Sequence, residues 1–168
     1  MNDTQIYIRI ATPSDGEKLR AMFARSSRET IHRRFHTPFP EVPGWMVTLM
    51  LEADHRDREA LVAVAEERVV GHAMYAREGD AEAEMAIVVE DEWQSKGVGK
   101  SLLLELEDRA ALRGIEAFTA EVLLENRPML GLAARSFAGT GYSIEDGAYR
   151  VRMPLRAAPA ARDLGRAA

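Results

Sequence analysis

One stretch constrains this chain more than any other. It reads Ala83-Glu84-Met85-Ala86-Ile87-Val88-Val89, then Glu90-Asp91-Glu92-Trp93, then Gln94-Ser95-Lys96-Gly97-Val98-Gly99-Lys100-Ser101. The first segment alternates and is rich in β-branched residues, which predicts a strand. The last opens a helix over 97–113 with Leu102, Leu103, Leu106 and Ala110 as its buried stripe and Gly114 as its stop. A strand that runs through a glycine-punctuated turn into a long helix leaves backbone N–H groups unpaired and pointing one way. The helix dipole adds positive charge there, so the segment predicts a phosphate cradle. Gly97 and Gly99 let the backbone approach an anion with no Cβ in the way. Lys96 and Lys100 are cations at a helix N-terminus, unfavourable unless an anion is present, which points them toward a ligand.

Two other phosphate motifs fail here. The Walker loop needs four residues between its first Gly and its Gly-Lys pair, a spacing this turn lacks. The dinucleotide fingerprint needs a third Gly where Leu102 stands, and the strand before the turn ends a meander instead of opening a βαβ unit.

The rest of the chain frames that segment. Residues 6–10 predict a strand, Thr12-Pro13-Ser14-Asp15 a helix start, and Leu19, Met22 and Phe23 one buried helical face. A helix follows over 27–35, then a three-proline loop over 36–44, a short helix over 45–51 and a polar turn at Asp54-His55-Arg56-Asp57. Strands at 60–65, 69–76 and 83–89 with short turns form an antiparallel meander. The strand at 115–123 is joined to 83–89 through a helix, so that pair is parallel. A helix over 126–138 and a hairpin of 142–144 with 148–153 complete an α/β domain. With 168 residues, 46% hydrophobic and 29% charged, the composition is that of one folded domain. No cysteine is present, which excludes disulfides, thiolate nucleophiles and Cys-ligated zinc. A net charge of −5 argues against a generally basic nucleic-acid binder. The longest uncharged run, 42–51, is too short to span a membrane. A soluble cytoplasmic protein, a monomer or homodimer with neither nucleic-acid nor membrane partner, is the expectation.

The pattern Gln94-x-x-Gly97-x-Gly99 in this setting resembles the GNAT acyl-CoA N-acyltransferases. The resemblance runs from residue 6 to about residue 155. It includes Asn126, which opens its helix as the family's coenzyme-contacting Asn does. Within the superfamily the chain is most similar to bacterial protein-lysine acetyltransferase domains, on Ser27-Arg28-Glu29-Thr30-Ile31-His32-Arg33-Arg34-Phe35, on Ala83 to Ile87 and on Ala120-Glu121-Val122-Leu123-Leu124-Glu125-Asn126-Arg127-Pro128-Met129-Leu130. The resemblance implies a GNAT domain over 6–156 with a C-terminal tail at 157–168. Its sheet is mixed and mostly antiparallel, of about seven strands flanked by helices, and is splayed between the fourth and fifth. It implies acetyl-CoA as co-substrate, no metal, and pyrophosphate contacts from Gln94, Ser95, Lys96, Gly97, Val98, Gly99, Lys100 and Ser101. Ile87 and Val89 would hydrogen-bond the pantetheine arm as an added strand, and the Val88 N–H would face the thioester oxygen.

The chemistry makes a further demand. A lysine amine with a pKa near ~10.4 must lose its proton to a base, directly or through water. The family places a carboxylate on the strand before the glycines, and the matching residue is Glu84, which shares a face with Ala86 and Val88. Glu121 on the adjacent strand is the rival base. The family's Tyr general acid has no counterpart in Leu132-Ala133-Ala134-Arg135-Ser136-Phe137-Ala138, so the thiolate leaves unaided or Ser136 or water serves. Glu90, Asp91 and Glu92 read as turn and capping acids. His32 and His36 have metal-ligand spacing but no adjacent Glu and no third ligand. His72 alternates with Val70 and Met74 and reads as a satisfied, partly buried residue or a proton shuttle. Phe35, Phe39 and Trp45 either pack locally or line an acceptor pocket. The expected reaction is acetyl transfer to a primary amine, a protein lysine for preference. A small-molecule amine acetyltransferase and a non-catalytic acyl-CoA sensor are the alternatives. No second module is legible, so regulation is expected to be intrinsic or through a partner.

Overall fold

The computed structural model describes residues 4–158. Strands β1 (Ile6–Ile10), β2 (Arg58–Ala65), β3 (Arg68–Glu78), β4 (Glu82–Val89), β5 (Ala117–Leu123), β6 (Gly141–Glu145) and β7 (Ala148–Pro154) make one sheet. Its order is β1-β2-β3-β4-β5-β7-β6. Every neighbouring pair is antiparallel except β4 and β5, whose connection is a helix. Helices α1 (Gly16–Arg25), α2 (Arg28–Phe35) and α3 (Gly44–Leu51) cover one face, and α4 (Val98–Leu112) and α5 (Arg127–Ser136) the other.

Each face has its own core. Leu102, Leu103 and Leu106 of α4 and Phe137 after α5 pack on Leu61, Tyr75, Met85 and Phe118. Leu19, Met22 and Phe23 of α1 and Val47, Met50 and Leu51 of α3 pack on Val62, Val64, Val69 and Val88. A fully buried side chain of this size contributes about 1.5–3 kcal/mol, so these stripes fix the helices to the sheet. Strand β2 is buried on both faces from Glu59 to Ala65, as a central strand between two layers must be. Among the described residues no helix is long and apolar enough to cross a membrane.

Two local features differ from the sequence reading. The β2–β3 turn is only Glu66-Glu67, both at left-handed φ (49° and 63°), and Arg68 already belongs to β3. The β2–β3 register shifts between Ala63 and Val64, leaving Val70 as an extra residue. Val70 therefore packs against the α4 side while His72 reaches Met50 of α3, so the two do not share a face. At the end of the domain Arg156 is pinned to α4. Its N–H and Nε donate to the buried Glu107 carboxylate at 2.7 and 2.9 Å. The tail expected over 157–168 lies almost wholly outside the described residues.

The feature that positions the site is the short partnership of β4 and β5. Only Glu82↔Ala117, Ala83↔Phe118 and Glu84↔Thr119 pair. Strand β5 stays with β7 along its whole length, from Ala117↔Pro154 to Leu123↔Ala148. From Met85 onward β4 is held by β3 alone, and the sheet opens into a splay.

Candidate active site

The turn after β4 is shaped by its backbone. Ser95 (φ 60°) and Gly97 (φ 85°) both take the left-handed conformation. Two such residues close together curl successive N–H groups inward, and at Ser95 this costs on the order of 1–2 kcal/mol. The N–H groups of Val98, Gly99 and Lys100, the first three of α4, have no acceptor within the helix. The Ser101 N–H is engaged, donating to the Gly97 carbonyl at 3.0 Å. At Gly99 a Cβ would stand 3.2 Å from Leu132 Cδ2 and 3.8 Å from side-chain atoms of Ile87 and Val89, so its absence lets α4 approach α5.

The acids before the turn face away from it. Glu90 is buried and accepts from Arg25 Nε and Nη2, each at 2.9 Å, while Arg25 also donates to the Val69 carbonyl at 3.0 Å. Asp91 accepts from the Ser27 N–H at 3.0 Å and from Thr30 Oγ1 at 3.2 Å. Burial pushes the Asp91 pKa up, but the bonds from Ser27 and Thr30 outweigh it and hold the carboxyl below its usual range. Gln94 Nε2 donates to the Val89 carbonyl and to Thr30 Oγ1, both at 3.0 Å. Glu90 and Asp91 thus bind α1 and α2 to the turn and direct their negative charge away from its mouth, while Glu92 is exposed.

The splay holds a cleft of about 640 Å³. Its floor is Met85 to Val89, one wall is Thr30, Arg33 and Arg34 of α2, and the other is Met129, Leu132 and Ser136 of α5. Of the residues singled out in the sequence, Ile87, Val88, Val89, Gln94, Ser95, Gly97, Gly99, Lys100 and Asn126 line it together. Four others do not border it. Glu84 stands one step beyond its floor, Val98 is buried beneath α4, and Ser101 is exposed on that helix. Lys96 instead lies with Nζ 5.2 Å from the centre of the Trp93 ring.

The phase of the ladder requires one correction. The Glu90 N–H donates to the Val70 carbonyl at 2.9 Å, and the register continues through His72↔Val88 and Met74↔Ala86. In an antiparallel pair alternate residues direct both backbone groups to the partner. The Val88 N–H is therefore turned to β3, not to the thioester oxygen. The groups of Met85, Ile87 and Val89 turn toward the splay, as the Ala81 carbonyl does in accepting from Glu116 at 2.7 Å.

Side chains complete the cleft. Asn126 Oδ1 accepts from the Met129 N–H at 3.2 Å and caps α5, leaving the amide NH2 as the group that can donate. Glu84 is exposed at the last paired position of β4. Glu121 faces it from β5, with Oε1 3.2 Å from Nδ1 of His36, which ends α2 in a left-handed conformation. Arg34 rests Nη2 3.7 Å from Met74 Sδ and Cζ 4.7 Å from the Phe35 ring centre. Burial pulls its guanidinium down to about 10, against the opposing field of Glu84, so it stays charged at neutral pH. His72 is fully buried with Nε2 2.8 Å from the Met50 carbonyl. Burial first and the Arg34 charge second hold it at about 3, so the ring is neutral and Nε2 donates. Ser136 Oγ is buried without a partner among the described residues. Phe23, Phe35 and Phe39 stack at 5.5 and 5.7 Å, whereas Trp45 is exposed. Among the described residues no cluster of three or more His, Cys, Asp or Glu could hold a metal ion.

Arg34, the His36–Glu121 contact and the Arg25–Glu90 pair carry no signal in the sequence reading. Arg33 and Arg34 enter it only as part of the stretch from Ser27 to Phe35, with no role of their own, and the other contacts join segments 65 and 85 residues apart.

Comparison with known proteins agrees with this geometry. Residues 20–138 match the model of the family described as acetyltransferase (GNAT). The chain is 31% identical over 127 residues to the acetyltransferase Pat of Mycolicibacterium smegmatis. That match covers 73% of this chain and 38% of Pat, so the chain spans well under half of that relative. The crystal structure of the GNAT domain of S. lividans PAT superposes with a TM-score of 0.82 at 30% identity, over 88% of this chain and 89% of that one. The PaiA N-acetyltransferase of Thermoplasma acidophilum, solved in complex with coenzyme A, shares the fold at 17% identity and a TM-score of 0.74, over 90% and 100% of the two chains.

Proposed function

The chain belongs to the acetyltransferase (GNAT) family, and from that premise we propose that it moves the acetyl group of acetyl-CoA to a primary amine, a protein lysine for preference. The observation that carries the reading is the splay itself. One cleft joins an inward-curled N–H cradle at Ser95 to Lys100 with an unpaired strand edge at Ile87 and Val89. That edge and cradle fit a long thioester ending in a pyrophosphate. The Gly99 position, where a Cβ would press on Leu132, lies at the junction of the two. Acetyl-CoA supplies the activated acyl group. The N–H groups of Val98, Gly99 and Lys100 would hold its phosphates and Val89 its pantetheine arm. The similarity to Pat supports the lysine preference.

The Ile87 N–H, turned into the splay, takes over the role first given to Val88 and stabilises charge developing on the thioester oxygen. Glu84 accepts the amine proton. It lies two residues before Ala86 on β4, about 7 Å along the strand, a span that one water bridges. A thiol leaving group with a pKa near ~8.5 departs as thiolate or takes a proton from Ser136, whose hydroxyl on the cleft wall has no partner among the described residues. A second reading makes Glu121 the base, favoured by its place in the cleft lining and its contact with His36. A cytoplasmic location goes with the proposal, since a highly charged acyl-CoA does not cross a bilayer unaided.

The test is turnover with acetyl-CoA over lysine peptides and free amines. Glu84→Gln should lose about 10²–10⁴-fold in kcat with little change in acetyl-CoA affinity. The defect should shrink at high pH, where more of the amine is already neutral. Loss in Glu121→Gln with Glu84→Gln intact would move the base to β5. A wild-type chain that binds acetyl-CoA and acylates no amine would leave the sensor reading instead. A preference for free amines over peptides would replace the lysine acceptor.

A further inference from the structure

Arg33 and Arg34 both line the cleft from α2, but their surroundings differ. Arg33 has a partner in Glu29 at 2.6 Å. Arg34 has none of its kind. Its Nε, like that of Arg33, is buried without an acceptor, its Nη2 meets the Met74 sulfur, its Cζ lies 4.7 Å from the Phe35 ring centre, and among the described residues it forms no ion pair. Met74 is the register partner of Ala86, so the guanidinium stands over β3 beside Ala86, and Arg34, Ala86 and Ile87 border the same cleft. Glu84 acts on it only through its field. A guanidinium that lines a cleft half-buried with no anion paired to it is available to one, and its planar fork matches a carboxylate.

We infer, on the acyl-transfer reading above, that Arg34 makes the thioester end of this cleft a carboxylate subsite, so that the protein takes acyl-CoA substrates whose short acyl chain ends in a carboxylate. Ala86 beside it contributes only a methyl group to the cleft lining. The acceptor amine is drawn instead to the carboxylates of Glu84 and Glu121, which makes the acyl chain rather than the acceptor the source of the anion. The transfer is otherwise the same. The amine nitrogen forms a bond to the acyl carbon, the carbon–sulfur bond breaks, the amine proton goes to the base, and the sulfur leaves with the electron pair. The distal carboxylate stays ionised on Arg34 throughout.

The experiment compares kcat/KM for succinyl-CoA and acetyl-CoA on one amine, in the full wild-type chain and in Arg34→Gln and Arg34→Lys. Calorimetric affinities for the same two thioesters give a second readout. The succinyl-to-acetyl ratio should fall at least tenfold in Arg34→Gln and by less in Arg34→Lys, which keeps the charge and serves if the Gln variant does not fold. A parallel arm sets lysine against 1,5-diaminopentane as acceptor, with acetyl-CoA. A ratio that moves only in that arm overturns the acyl-chain assignment, because the carboxylate then belongs to the acceptor. Ratios unchanged in both arms and in calorimetry overturn the subsite altogether. If no amine is acylated but the calorimetric ratio depends on Arg34, the enzymatic reading fails and the subsite stands.

Discussion

Strands β4 and β5 have a closed end and an open end, and the same two segments build both. At the closed end Glu82 to Glu84 pair with Ala117 to Thr119, and Phe118 beneath them stacks between Tyr75 and Phe137 at 5.9 and 6.1 Å. At the open end Met85 to Val89 keep β3 on one side and face a cleft on the other. On β4 the closed end carries Glu82 and Glu84 while the open end, Met85 to Val89, is wholly apolar, the reverse of what a ligand-binding edge suggests. The difference comes from partners: β5 follows β7 and leaves β4 behind. Stability and binding capacity are thus divided along one strand. The ladder bonds missing at the open end are the groups a ligand can take, and the aromatic cluster at the closed end sets the angle at which they are presented.

The comparison breaks most severely at its aromatic support. Phe118→Ala should cost about 3–5 kcal/mol in denaturant unfolding. Acetyl-CoA affinity should fall with it, because the splay angle is no longer held. A loss under about 1 kcal/mol would mean that the closed end does not hold the sheet together. Gly99→Val acts at the opposite end. Its Cβ presses on Leu132, which should cost about 1–3 kcal/mol. Acetyl-CoA affinity, by calorimetry, should weaken at least tenfold, about 1.4 kcal/mol. Unchanged affinity in the folded variant would dissociate the cradle from the ligand.

The smallest effect belongs to a corner remote from both ends. The Arg9 guanidinium, 2.7 Å away, holds the Asp15 carboxyl at about 2 against a usual 3.8, opposed by burial and aided by the Thr12 N–H. A carboxyl whose folded pKa is depressed stabilises the fold above its unfolded pKa. That stability disappears as pH falls through 3.8 toward 2. With Arg9 partly exposed, the contribution is about 1–2 kcal/mol. Asp15→Asn should lower stability at pH 7 by that amount and flatten the acid limb of the pH–stability curve, with acetyl-CoA affinity unchanged. A binding defect in this variant would show that the separation of stability from binding does not extend beyond β4 and β5.

What could be read in advance follows from range. The cradle was legible because its cause is local: a strand, two glycines and a helix start within one stretch. The two helical layers were legible because Leu102, Leu106, Leu19 and Met22 repeat at helical spacing. The ladder phase was not. Whether Val88 or Ile87 turns its N–H to the splay depends on the Glu90–Val70 bond, and side-chain alternation says nothing about it. The register shift that moves Val70 off the His72 face depends on how β2 meets β3. Glu90 reads as a turn acid until Arg25, 65 residues earlier, is placed beside it. Arg34 has no role of its own in the sequence until α2 is laid across Met74.

The polar groups that the open end offers are mostly main chain: Ile87 and Val89 on the strand, Val98 to Lys100 at the helix start. Ordinary side-chain replacement cannot delete them; only proline removes the N–H. Substitutions at wall positions such as 34, 129 or 132 therefore leave the main-chain donors in place. On the proposed reading, the groups that would recognise the common handle and those that would recognise the variable part belong to different portions of the polymer, backbone and side chain.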